Sequence, residues 1–106
     1  MPDAMDTAWN ALRSRLQVRS RELYEEVRTY PRPIARCDEQ LTQAIEERDA
    51  AFRHVRRAND LDALRSALQR DAWLTALGDF VEKLELSGDP AMATAREKVV
   101  AALRLR

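Results

Sequence analysis

Two residues with reactive side chains occur once each in the sequence, Cys37 and His54. A cysteine nucleophile needs its base within hydrogen-bonding distance. Both residues fall in one predicted helix, 17 positions apart, and at the rise of an α-helix this spacing corresponds to roughly 25 Å. The spacing excludes a Cys–His pair within this helix, and we interpret Cys37 as a buried structural thiol.

The acidic residues do not form a metal-binding pattern. A di-iron helical bundle needs Glu-x-x-His pairs on facing helices, but the residue three positions after Glu47 is Ala50. We predict neither a metal nor another cofactor. Because no acid and base can be placed within reach of each other, the sequence also predicts that the protein is not an enzyme.

Charged residues interrupt the apolar stripes of the predicted helices at three positions, Arg19, Arg48 and Asp71. The predicted chain folding places all three at a similar height, in the middle of the bundle. A buried charge requires a partner, so we expect Arg48 to pair with Asp71. The layer either fixes the register of the helices or forms an anion site from Arg19 and Arg48.

Three further arginines, Arg53, Arg56 and Arg57, lie near the end of the second predicted helix. Positive charge there complements the helix dipole, and a contact with nucleic-acid phosphate is the alternative. The formal net charge of zero argues against extensive binding to nucleic acid or to a membrane surface. We therefore expect neither as a main partner.

The elements that position these residues are helices, since the chain has only two glycines and four prolines and no strand-like alternation. Breaks are predicted at Tyr30–Pro33, at Asn59–Asp60 and at Gly88–Pro90, where Asp89 caps a helix that Pro90 opens. The fold class is all-α, an antiparallel up-down bundle of three long helices plus a short fourth C-terminal helix. The single domain, 1–106, has helices over about 4–29, 34–58, 60–86 and 90–105.

Apolar periodicity gives each helix a predicted buried face. The third helix is ambiguous, because its stripe changes face in the middle. Either it breaks near Gln69–Asp71, or it is continuous and meets a new neighbour, which we favour. The three stripes contain Met5, Trp9, Leu12, Leu16, Leu23, Val27 and Tyr30; Ile34, Cys37, Leu41, Ile45, Phe52 and Val55; and Leu61, Leu64 and Leu68 followed by Trp73, Leu77, Phe80 and Leu84.

The bundle is predicted to be incomplete. Alanine supplies 17 of the apolar residues and buries little surface, so the core is thin. The short fourth helix leaves one end of the bundle with three helices and with exposed apolar surface. We expect an interface there or at the proline-rich turn, with Tyr30, Arg32, Leu61 and Leu64 as its residues.

These features predict a non-enzymatic helical interaction module that self-associates, as a homodimer, or binds a partner protein. The single cysteine excludes an intrachain disulfide, and the sequence shows neither a signal-peptide pattern nor an apolar run long enough for a membrane span. The cytoplasm is the expected location. Sixteen of the 18 basic residues are arginine, a bias typical of a GC-rich bacterial genome.

Overall fold

The structure, a computed structural model, describes residues 3–30, 38–84 and 88–105. Four helices and no strand occupy these ranges. The predicted all-α architecture, which ends in a short fourth helix, is confirmed. The helices are α1 (Ala4–Arg28), α2 (Asp38–Ala63), α3 (Arg70–Glu82) and α4 (Pro90–Arg104). The predicted start of the second helix, near residue 34, lies outside the described residues.

The N-termini of α1 and α4 are each capped by an aspartate. The carboxylate of Asp3 accepts a hydrogen bond from the N–H of Asp6 at 2.8 Å, and this bond lowers the pKa of Asp3. Asp89 accepts from the N–H of Ala91 at 3.1 Å, with Pro90 in the first turn. Each cap satisfies a backbone N–H that has no partner within the helix. The predicted start of the last helix is therefore confirmed.

The boundary predicted at Asn59–Asp60 is wrong, because α2 continues to Ala63. The preferred continuous helix over 60–86 is wrong too: the chain turns over residues 64–69, and α3 begins at Arg70. At the turn the N–H of Leu64 donates to the carbonyls of Asp60 and Leu61, at 3.2 and 3.1 Å. The α-helical hydrogen-bond pattern thus tightens toward i to i+3 bonds as α2 ends.

The hydrophobic core lies where α3 and α4 pack beside the first half of α1 and the last turns of α2. Three aromatic rings occupy it, with Trp9 edge-to-face against Trp73 at 5.9 Å and against Phe80 at 5.7 Å. This geometry is favourable for aromatic pairs. The buried members are Met5, Ala8, Trp9, Leu12, Leu16, Ala58, Leu61, Trp73, Leu74, Leu77, Val81, Leu84, Met92, Ala95 and Val99.

The molecule is elongated, with extents of 52 × 25 × 22 Å, because two of its helices continue beyond the core. The core cluster uses α1 only as far as Leu16 and α2 only from Val55 onward. We call residues 17–30 and 38–52 the arm. The end expected to have three helices and exposed apolar surface, near Leu61, is instead the end where all four helices pack. The sparsely covered end is the arm of two helices, because α3 is shorter than predicted.

Candidate interaction surface

Four contacts join α1 to α2, two of them beside the core and two in the arm. From one contact to the next, the residue number increases in α1 and decreases in α2. This is the order expected of the predicted hairpin. The contacts join Trp9 to Asp62, Arg13 to Asn59, Tyr24 to Phe52 and Tyr30 to Gln40.

Small side chains fill the seam between the arm helices. Leu23 and Ser20 are the buried residues of α1 in the arm, while α2 buries three alanines, Ala44, Ala50 and Ala51. Ala58, seven residues further along α2, is buried in the core. Residues seven apart share one face of a helix, so α2 turns an alanine face toward α1.

The larger apolar side chains of α2 lie beside the seam and are incompletely covered. Phe52, expected in the buried stripe, is 46% exposed, and Leu41 and Ile45 are half-buried. The predicted burial is therefore wrong for Phe52 and holds only in part for Leu41 and Ile45. Large side chains dominate a sequence periodicity, but alanines let α2 bury a different face against α1.

A tyrosine of α1 extends this apolar surface. Tyr24 is also 46% exposed, and its ring lies edge-on to that of Phe52, with 6.4 Å between the ring centroids. We call Tyr24, Leu41, Ile45 and Phe52 the open face of the arm. Two exposed rings in contact, beside partly covered apolar residues, form an apolar patch of the kind found at interaction sites.

The predicted charged layer does not form. Arg48 forms an ion pair with its neighbour Asp49 at 3.2 Å, and Asp71 is exposed in the first turn of α3. The break before α3 moves Asp71 away from the level of Arg48, so the expected Arg48–Asp71 pair is wrong. The contacts between α1 and α2 place Arg48 at the level of about residues 22–28 of α1. Arg19, half-buried, is level with about residues 51–57, so the two arginines do not share one height.

The four residues predicted to form an interface do not lie together in the structure. Leu61 is buried in the core and is unavailable to a partner. Leu64 is 43% exposed at the turn after α2. Tyr30 is half-buried, and its hydroxyl is 3.2 Å from Gln40 Oε1. Arg32 lies outside the described residues, as does Cys37.

The arginines near the end of α2 are exposed, as a phosphate contact would require. One of them, Arg57, lines a cleft of about 270 Å³ between α2 and α3, together with His54, Lys83 and the ring of Phe80. Asp79 also lines this cleft and offsets part of its positive charge. The anion site at Arg19 and Arg48 and the phosphate contact at Arg53, Arg56 and Arg57 both stay predictions.

A polar network fixes the opposite end of the molecule. Asp62 accepts a hydrogen bond from Trp9 Nε1 at 3.0 Å and forms ion pairs with Arg13 and Arg65. Burial raises the pKa of Asp62, but the bond from Trp9 and the two arginines more than offset this, and the pKa lies below its ordinary value. Arg65 also pairs with Asp6. The network ties the turn over 64–69 to α1.

Further contacts of arginines support the core. Arg65 and Arg70 lie over the ring of Trp73, at 5.0 and 5.6 Å from its centroid. Arg15 donates to buried Asp89 at 2.8 Å, so the cap of α4 is also its link to α1. Sequence analysis missed these partners, because opposite charges are abundant and their spacing does not show which of them meet.

The described ranges were also compared with the requirements of a metal site and of a membrane span. No group of three His, Cys, Asp or Glu residues there could hold a metal ion. No described helix is long and apolar enough to cross a membrane. Comparison of the chain with protein-family models, curated proteins and solved structures gave no match.

Proposed function

We propose that the protein is a non-enzymatic interaction module whose arm binds helical protein surface through the open face. The observation that carries the proposal is the pair of exposed rings, Tyr24 and Phe52, in contact on an arm of only two helices. Burying the exposed part of each ring would contribute roughly 2 kcal/mol at about 25 cal/mol per Å². That contribution is large enough to make these rings the anchors of an interface.

The architecture favours a helical occupant. Two packed helices present parallel ridges and a groove, into which the side chains of further helices fit. A four-helix bundle buries all of its apolar faces, whereas an arm of two helices leaves one side uncovered. This role needs no cofactor, and we propose the cytoplasm as its location.

The proposal is tested by removing the two rings from the open face. A Tyr24→Gln/Phe52→Gln variant should lose binding to copies of the chain and to proteins from the native host, because both anchors are removed. The matched control is Val18→Gln, which replaces another exposed apolar residue of α1 at a position outside the open face. The wild type, the double variant and the control are each immobilised for affinity capture, and mass spectrometry identifies the proteins that each of them retains. Capture of the same proteins by all three chains would contradict the proposal.

A further inference from the structure

We propose that the cleft between α2 and α3 binds a small aromatic carboxylate. This inference goes beyond the proposed function and is independent of it, because none of the open-face residues lines the cleft. Three features of the cleft support it: its size, its apolar floor and the charges on its two walls.

Each wall of the cleft is one face of a helix. The residues of each wall recur at spacings of three and four, which places them on one side of the helix. They are His54, Arg57 and Leu61 on α2, and Ala76, Asp79, Phe80 and Lys83 on and directly after α3. The volume of about 270 Å³ is just below the range of about 300 to 1,000 Å³ that is typical of sites for drug-sized ligands. The cleft therefore suits a molecule with a single ring.

The floor of the cleft is apolar and is part of the hydrophobic core. Leu61 is buried, and the ring of half-buried Phe80 lies edge-to-face against Trp9, with 5.7 Å between the centroids. Trp9 is itself fully buried. These contacts fix the floor before a ligand arrives, which lowers the cost of ordering on binding. An aromatic ring can pack favourably against Phe80 and Leu61.

The charges of the cleft favour an anion. Arg57 and Lys83 are exposed on opposite walls, and Asp79 is the one carboxylate among the lining residues. None of the three takes part in an ion pair within the described chain. With His54 neutral, the cleft carries a surplus of one positive charge. The apolar walls concentrate the field of this charge, and a single carboxylate would neutralise it.

Other classes of ligand fit the cleft less well. A cation is repelled by the positive surplus. Inorganic phosphate carries a charge that Asp79 repels, and it has no apolar part to cover the floor. A neutral ring leaves Arg57 and Lys83 without a partner. The arrangement therefore favours a monoanion whose ring lies on the floor and whose carboxylate lies at the mouth, between the two cations.

Nuclear magnetic resonance of the full chain, titrated with benzoate, tests the site. His54 is the only histidine, so its imidazole protons give separate signals from a residue that lines the cleft. We expect saturable shifts of these signals and of the amides of residues 76–83, with a Kd of about 1 mM for so small a ligand. Shifts that remain linear up to about 20 mM, or that have no maximum at the cleft, would overturn the proposal.

Three further ligands separate the contributions of the ring and of the charge. Benzyl alcohol keeps the ring without the charge, whereas acetate and inorganic phosphate keep a negative charge without the ring. Each should bind with a Kd at least about five-fold higher than that of benzoate. Binding of acetate or phosphate as tight as that of benzoate would overturn the role of the floor. Equally tight binding of benzyl alcohol would overturn the role of the cations.

Substitutions of the lining charges test the sign of the ligand. Arg57→Gln and Lys83→Gln should each raise the Kd for benzoate about three-fold, because each removes one attraction at an exposed site. Asp79→Asn should lower the Kd about three-fold, because it removes the carboxylate that repels the ligand. An unchanged Kd in all three variants, or weaker binding by Asp79→Asn, would overturn the proposal.

The matched controls change the net charge by the same amounts outside the cleft. Arg56→Gln on α2 and Glu82→Gln on α3 alter exposed residues that do not line the cleft, and both should bind benzoate like the wild type. Effects as large as those of the lining residues would attribute binding to the general charge of the protein and overturn the site. Helical circular dichroism confirms that every variant is folded.

Discussion

At the scale of residues, the structure divides the arginines by their partners. Arg13, Arg15 and Arg65 hold distant parts of the chain together through Asp62, Asp89 and Asp6. Arg53 and Arg56 have no such ion pair among the described residues. The first group stabilises the fold, whereas the second group is exposed to solvent. Composition alone treats all of them as one basic residue type.

Asp62 makes the stability of the core end depend on pH. Its pKa lies below the ordinary 3.8, so its contribution is fully present above about that pH and is lost as the pH falls through the lower folded value. Asp62→Asn should cost roughly 1 kcal/mol at pH 7, because both ion pairs lose their charge while the new amide oxygen can still accept from Trp9. Urea unfolding at pH 7 and pH 3 measures this cost.

The matched control is Asp60→Asn, since Asp60 is exposed and its carboxylate has no ion pair in the described chain. The difference between the wild type and Asp62→Asn should shrink at pH 3, where Asp62 of the wild type becomes increasingly protonated. An equal difference at both pH values would show that the charge of Asp62 contributes nothing.

At the scale of elements, the break between α2 and α3 is the main departure from the sequence prediction. Residues 64–69 contain neither glycine nor proline, so no strong local signal ends the helix there. The chain turns because long-range contacts stabilise the turn: Arg65 reaches Asp6 and Asp62, and Trp73 Nε1 donates to the carbonyl of Leu61 at 2.8 Å. The change of face in the predicted stripe was the only indication of this break.

One substitution at the N-cap of α3 should increase the stability of the fold. Its N-cap residue, Gln69, makes no capping hydrogen bond through its side chain. Gln69→Asp should stabilise the fold by about 1 kcal/mol, because the shorter carboxylate can accept from an unpaired N–H of the first turn. Thermal and urea unfolding measure the gain. Gln69→Glu carries the same charge on a longer side chain, and an equal gain there would attribute the effect to the helix dipole.

At the scale of the whole molecule, packing is uneven. One end combines four helices around Trp9 and Trp73, whereas the arm has two helices with a narrow alanine seam. Local stability follows the amount of buried apolar contact. The single chain is therefore expected to open first in the arm.

Hydrogen exchange checks this difference residue by residue. In Tyr24→Gln/Phe52→Gln, which should remain a monomer, amides of residues 39–52 should exchange about 10-fold or more faster than those of residues 74–81, because the arm buries less. Equal protection of both regions in the monomeric variant would contradict the expected uneven stability.

The sequence by itself determined the features that depend on near neighbours. The four helices, the start of α4 at Asp89 and Pro90, and the apolar stripe of α1 follow from capping residues and periodicity, which act within a few positions of the chain. The sequence also indicated that one end of the bundle is incompletely covered, but it placed that end near Leu61, which the structure buries.

Only the tertiary structure decided which side of α2 is buried, where the third helix begins and which charges pair. The periodicity of α2 favours Leu41, Ile45 and Phe52, yet the seam uses Ala44 and Ala51. A helix face is buried by the neighbour that it meets, and an ion pair forms between groups that the fold brings together. Both depend on residues far apart in the chain, and so the open face of the arm became visible only after the chain was folded.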